Sequence, residues 1–285
     1  MKRIIMLFNL LGIALLAFSQ GEVAPDEKTF YGGVAYYYLN LNADLSSYQS
    51  TNKIDGQTFE PRQWNSDEIS DFNNYVYSEQ TWMSPSLVLG MKMYDKPESP
   101  WSLNAELMLG YLLQKHAEND KNTGNNLLEV KNDARVNLFS KIDFDLKYAW
   151  KKWIFTLNPG FSYGIAHSKS ISYNYLPEAD YESDYNLRST MYFPQLNLTA
   201  GYSLWNINIY AGMGFGQYYN TQKLEITKSS QYQTFTDEIK VEFKGQSNLM
   251  GVAGFDWQIT DQFMWKLKTE IGIGFIGQTS FAILF

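Results

Sequence analysis

Few side chains in this chain are equipped for covalent chemistry. There is no cysteine, and the two histidines are His116 and His167. Ser168 and Ser170 lie beside His167, with Asp180 and Asp184 downstream, so a Ser/His/acid hydrolytic set is one reading of that segment. Zinc would need both histidines plus carboxylates brought across neighbouring strands, and no metal site is assigned. A second group of residues points to ion pairing. Lys141, Asp143, Asp145 and Lys147 are spaced by two, as are Lys266, Lys268 and Glu270. In an extended chain that spacing puts every member on one face. With Lys92, Glu106 and Asp256 the set holds five cations (Lys92, Lys141, Lys147, Lys266, Lys268) and five anions (Glu106, Asp143, Asp145, Asp256, Glu270). Isolated burial of such charges is prohibitive, so they must be paired or wet.

The elements that would carry these charges are strands. Trp153, Phe155, Leu157, Pro159, Phe161, Tyr163 and Ile165 alternate with Thr156, Asn158, Gly160, Ser162, Gly164 and Ala166. That is period two, bulky on one face and small or polar on the other. Aromatics make up 16% of residues, yet mean hydropathy is −0.34, too polar for a bundle of apolar helices. A barrel in a bilayer needs only alternate residues to be apolar, which reconciles the two numbers. The same pattern predicts strands at 29–41, 78–94, 101–116, 134–149, 153–168, 188–204, 206–221, 246–260, 263–271 and 275–285. Short links fall at Asp95–Pro100, Trp150–Lys152, Trp205 and Asp261-Gln262; long polar links fall at 42–77, 117–133, 169–187 and 222–245. A glycine turn at Gly272-Ile273-Gly274 separates the last two strands, with glycine expected there for the left-handed conformation. The predicted fold is therefore all-β, an antiparallel up-and-down transmembrane barrel of about ten strands, with eight and twelve as alternatives.

The chain starts with Lys2 and Arg3, an apolar run from Ile4 to Phe18, and small residues at Ala17 and Ser19. This predicts a cleaved signal peptide over 1–19, followed by a short segment over 20–28 and the barrel over 29–285. It ends on Phe275-Ile276-Gly277-Gln278-Thr279-Ser280-Phe281-Ala282-Ile283-Leu284-Phe285. An amphipathic strand closing on an aromatic residue resembles the final strand of Gram-negative outer-membrane β-barrel proteins. The resemblance implies an outer-membrane location, a surround of outer-membrane lipid, and an assembly signal at Phe281, Ile283 and Phe285 read by the barrel assembly machinery.

Parity places the ten charged residues in the lumen, opposite the small residues Gly160, Ser162, Gly164, Gly212, Gly214 and Gly216. Two readings stay open. The balanced charges form a salt-bridged plug, or they line a narrow water-filled path whose uncharged wall (Asn158, Asn197, Thr199, Asn208, Tyr210, Tyr218) contacts a solute. The links are acidic and aromatic, with Asp44, Asp55, Glu60, Asp67, Glu68 and Asp71 in the first and Glu178, Asp180, Glu182 and Asp184 among tyrosines in the third. Their carboxylates lack the ordered spacing of a calcium loop. Three functions follow: a non-enzymatic barrel with a structural or partner-binding role through these loops, a narrow porin-like channel, or a rim hydrolase using His167 or His116. The partner expected for the first is an extracellular or periplasmic protein. No cofactor and no nucleic-acid partner is expected.

Overall fold

Alternation of apolar and polar residues makes each segment bury one face and expose the other, and the only way to pair every edge is to close the sheet. The computed structural model describes residues 30–95, 98–131, 137–168, 170–173, 182–229, 234–245, 248–272 and 274–284. The expected signal peptide at 1–19, the segment 20–28, Asp180 and the terminal Phe285 lie outside them.

Ten strands form the ring. They are β1 (Phe30–Ile54), β2 (Val76–Asp95), β3 (Trp101–Tyr111 continued by Leu113–Asp120), β4 (Asn126–Lys131 and Leu138–Trp150), β5 (Trp153–Ser168 and Ser170–Tyr173) and β6 (Glu182–Leu204). The remainder are β7 (Ile207–Gly216 and Tyr219–Ser229), β8 (Thr234–Gly245 and Asn248–Gln258), β9 (Phe263–Ile271) and β10 (Phe275–Leu284). Every neighbour in chain order pairs antiparallel, and β10 closes on β1 through Tyr31↔Leu284 to Asn40↔Phe275. The turns after β2, β4, β6 and β8 share one end of the ring with Phe30 and Leu284; the long hairpins and the Gly272–Gly274 turn share the other.

The segments expected as long polar loops are largely strand. β1 runs on to Ile54, β3 and β4 pair over His116↔Val130, and β7 and β8 pair from Tyr219↔Lys244 to Ser229↔Thr234. Polar residues on both faces made these stretches look like loops, but past the bilayer water solvates both faces and backbone pairing continues. β9 and β10 stop at the Gly272–Gly274 turn. Beyond it β1 pairs directly with β8, from Ala43↔Gly245 to Ile54↔Phe235. The barrel thus narrows from ten strands to eight at its long-hairpin end. Gly274 is required by contact: a Cβ there would stand 2.4 Å from the Asn40 carbonyl and 2.7 Å from the Leu41 side chain. Among the described residues the positive-φ glycines are Gly56 and Gly124, so close approach replaces the left-handed reason expected for the 272–274 turn.

A helix, α1 (Ser66–Tyr75), lies between β1 and β2. Asn65 caps it and Glu68 completes a capping box. Trp64 stacks on Tyr48 at 4.2 Å and meets Phe72 of α1 at 6.0 Å. The Asn73 side chain accepts from the Leu45 N–H and donates to its C=O, both at 2.8 Å, so α1 is stitched to β1 where that strand bulges.

Outside, the ring is apolar. Leu87, Leu89, Leu196, Leu198, Met213, Phe215, Leu249, Phe281 and Ile283 are all exposed. Trp153–Tyr202 and Trp101–Tyr148 pair at 5.2 and 4.8 Å near the short turns, and Tyr163–Tyr192 pair at 5.7 Å further along. Ten residues separate Tyr192 from Tyr202, and ten separate Tyr163 from Trp153. At about 3.3 Å per residue and a tilt near 45° that is roughly 23 Å, close to the ~25 Å apolar band between the aromatic girdles of an outer-membrane barrel.

Candidate functional site in the lumen

The inward faces of β3, β4, β8 and β9 bring most of the charged residues together near the short turns. Lys266 Nζ meets Glu106 Oε2 at 2.7 Å and Tyr31 Oη at 2.8 Å, while Tyr31 donates to the same carboxylate oxygen at 2.6 Å. Gln278 Nε2 donates to the other oxygen of Glu106 at 3.1 Å. Lys141 is ion-paired to Asp143 and donates to Gln278 Oε1 at 2.8 Å. Lys268 pairs with Glu270 at 2.8 Å and donates to Asn158 Oδ1 at 2.9 Å. Asn197 donates to Glu270 at 2.9 Å and Asn158 to Asp145 at 2.7 Å. Nearer the mouth Lys147 lies 3.8 Å from Asp145 and 3.9 Å from Asp256.

Nine of the ten charged residues therefore line one chamber or its wall. Lys92 does not join them. A bulge after it, at Lys92/Tyr94, ends the parity of β2, and its ammonium pairs with Asp95 at 3.2 Å in a half-exposed position near the short turns. The chamber holds four cations (Lys141, Lys147, Lys266, Lys268) against five anions. Asn158, Asn197, Thr199, Asn208 and Tyr210 form its uncharged wall around a cavity of about 70 Å³. At roughly 15 Å³ per water this admits about five waters, far less than a sugar needs.

Above the chamber the lumen is filled by packed aromatic side chains. Tyr37 stacks on Phe139 at 4.8 Å, and the Trp82 indole N–H donates to Tyr218 Oη at 2.9 Å. Tyr37, Trp82, Phe139, Phe193 and Tyr218 are each no more than 2% exposed. Tyr218 was expected on the solute wall and instead belongs to this plug. Small residues seat the aromatics. A Cβ on Gly164 would stand 2.8 Å from Leu112 and 3.1 Å from Trp82, and one on Gly216 would be 2.7 Å from Phe193. Of the glycines expected to receive Lys and Glu arms, Gly160 takes the Asp143 carboxylate and Gly214 the Asn197 amide.

Higher still is a polar layer. His116 is fully buried, bonded through Nδ1 to Gln80 and, at 3.3 Å, to Gln222, with Nε2 3.3 Å from Glu118. Asn220 donates to Gln80 Oε1 at 3.1 Å, and the Phe243 ring lies 5.2 Å from the imidazole. His116 is thus a satisfied interior group beneath α1. His167 is on the outer face while Ser168 is 3% exposed and inward, so this pair cannot act as base and nucleophile on one substrate. Among the described residues no group of three His, Asp or Glu side chains could hold a metal ion.

The aromatic plug was not visible from composition. Tyr36-Tyr37-Tyr38 and Met191-Tyr192-Phe193 are apolar on both faces, so alternation does not say which residue faces lipid. The glycines opposite them in register carry that information.

No protein-family model and no curated protein matches this chain. Among solved structures it is similar to the translocator domain of the autotransporter NalP from Neisseria meningitidis, at 12% identity and a TM-score of 0.38, over 100% of this chain and 98% of that one. It is also similar to the outer membrane protease OmpT from Escherichia coli (10% identity, TM-score 0.42, 93% and 99% covered). A third is the outer membrane protein OprG from Pseudomonas aeruginosa (11%, 0.28, 91% and 99%). The class of this protein is set by its own geometry: a closed antiparallel ring, an apolar belt of bilayer height outside, and a polar lumen. It is a transmembrane β-barrel.

Proposed function

We propose that the chain is a closed, non-conducting and non-enzymatic barrel whose working surface is the eight-stranded extension capped by α1. The observation carrying this reading is the packed aromatic layer across the lumen, with Trp82 and Tyr37 fully buried. A passive path needs continuous water. Here the charged chamber is followed along the lumen by the Tyr37–Phe139 stack, whose Tyr37 ring lies 6.0 Å from the Lys141 ammonium. The extension is long, carries Glu60, Asp67, Glu68 and Asp71 beside Trp64 and Phe72, and is rigidified by strand pairing, which suits it to bind a protein partner. Phe281 and Ile283 stand on the lipid face of β10, where an assembly signal would be read. The test is conductance of the refolded mature protein in a planar bilayer at high salt. Silence together with a heat-modifiable fold is the expected result; stable stepwise openings would replace the closed barrel with a channel.

A further inference from the structure

Four strands carry a basic or imidazole side chain at the same rung of the outer wall. Arg188 of β6 is directly opposite His167 of β5 and Lys223 of β7, and Lys223 is directly opposite Lys240 of β8. Directly opposed residues face the same side of a sheet, and this side is outward, because Leu187, Ser189 and Gln222 beside them are buried in the lumen. Like charges in opposed positions destabilise a sheet. Among the described residues, little offsets this. Arg188 and Lys223 make no ion pair among the described residues. Lys240 bonds Glu242 at 2.6 Å, and the carboxylates one outward position further on are Glu225 and Glu238, the second of which is already paired with Lys53.

The row has a fixed relation to the membrane. His167, Arg188 and Lys223 each stand four residues beyond the tyrosine of their own strand (Tyr163, Tyr192 and Tyr219), and those tyrosines are themselves opposed. Tyrosine marks the interface. Four residues at about 3.3 Å each, tilted near 45°, place the cations roughly 9 Å outside it. Short turns face the periplasm in such barrels and long connections face outward, so the row stands in the headgroup layer of the external leaflet.

We propose that His167, Arg188, Lys223 and Lys240 form a binding site for the phosphorylated headgroup of an outer-leaflet glycolipid. The guanidinium of Arg188 offers a bidentate fork to a phosphate, the flanking ammonium groups supply point charges, and the tyrosines below contact the sugar or acyl boundary. The site is independent of whether the lumen conducts.

The test uses the refolded mature protein in detergent, titrated with diphosphoryl lipid A and followed by native mass spectrometry. Arg188→Gln/Lys223→Gln/Lys240→Gln should weaken binding about a hundred-fold, near five-fold per charge. Lys151→Gln/Lys152→Gln, at the opposite end, should leave it unchanged. If the triple variant loses heat-modifiable folding, Arg188→Gln alone should show the five-fold loss. Equal binding by wild type and the row variants, or equal losses in the row and control variants, would overturn the site. Inorganic phosphate at matched concentration should not compete; effective competition would mean a free-anion site and would overturn the lipid assignment.

Discussion

The two halves of the lumen fill the same kind of space in opposite ways. Near the short turns, long charged side chains from β3, β4, β8 and β9 share hydrogen bonds around a small wet cavity. Toward the long hairpins, aromatic rings from β1, β2, β4, β6 and β7 sit on glycines and pack together. The first half holds together by mutual satisfaction of groups that would be ruinous alone, so its members stand or fall in pairs. The second holds by shape, so its members are sensitive one at a time. The transition falls at Lys141 and Asp143, whose pair lies directly beneath the Tyr37–Phe139 stack.

The largest effect should come from the aromatic half. Trp82→Ala removes an indole that touches the Gly164 seat and takes one hydrogen-bond donor from the Tyr218 hydroxyl. Such truncations cost about 3–5 kcal/mol in well-packed interiors. Urea unfolding of the barrel in vesicles should report a loss of this size for Trp82→Ala and a much smaller one for Trp82→Phe. A stability unchanged by Trp82→Ala would mean that the aromatic layer is not packed as described.

Next is the charged half, where the signature is rescue. Lys266→Met strands the Glu106 carboxylate with only Tyr31 and Gln278 as donors, and breaking a buried pair from one side costs up to about 3–5 kcal/mol. Because those two donors remain, the loss should fall toward the lower end. Lys266→Met/Glu106→Leu should recover most of it, since replacing both partners by apolar groups is often neutral. Double-variant stability no better than Lys266→Met alone would show that the pair is not the unit that matters.

How much of this was legible in the sequence follows from the same contrast. Spacing of two announced Asp143, Asp145 and Lys147, because a charge has only one tolerable side of a strand that crosses lipid. The strand count and the closing hairpin were legible for the same reason. Aromatics are tolerated on both sides, so Tyr37 and Phe193 could not be assigned without knowing which glycine stands opposite. Lys92 keeps the inward parity of Gly90, opposite Asn104, but it stands at the short-turn end of β2, where its ammonium pairs with Asp95 and does not reach the chamber. The extension of β1, β3 and β7 beyond the bilayer was hidden because water relaxes the demand for alternation.

The smallest predicted effect concerns α1, which caps both halves from above. Its N-terminus rests on Asn65, whose side-chain oxygen accepts from the Asp67 and Glu68 N–H groups at 2.9 and 3.0 Å. Glu68 in turn accepts from the Asn65 N–H and from Arg62, each at 2.9 Å, and these contacts, the backbone donor first, hold its carboxyl below the ordinary value. A depressed folded value means the contribution is present above the unfolded value, near 4.5, and is lost as pH falls through the folded one. Acidification should therefore loosen α1 while the ring stays paired, since strand hydrogen bonds do not titrate. Asn65→Ala should do the same at neutral pH, at a cost of about 1 kcal/mol confined to the helix. Hydrogen exchange resolves this: amides of Ile69 to Tyr75 should exchange faster in both cases, with those of Thr81 and Trp82 unchanged. Equal acceleration in β2 would mean that α1 and the barrel wall open as one unit and that the cap is integral to the ring.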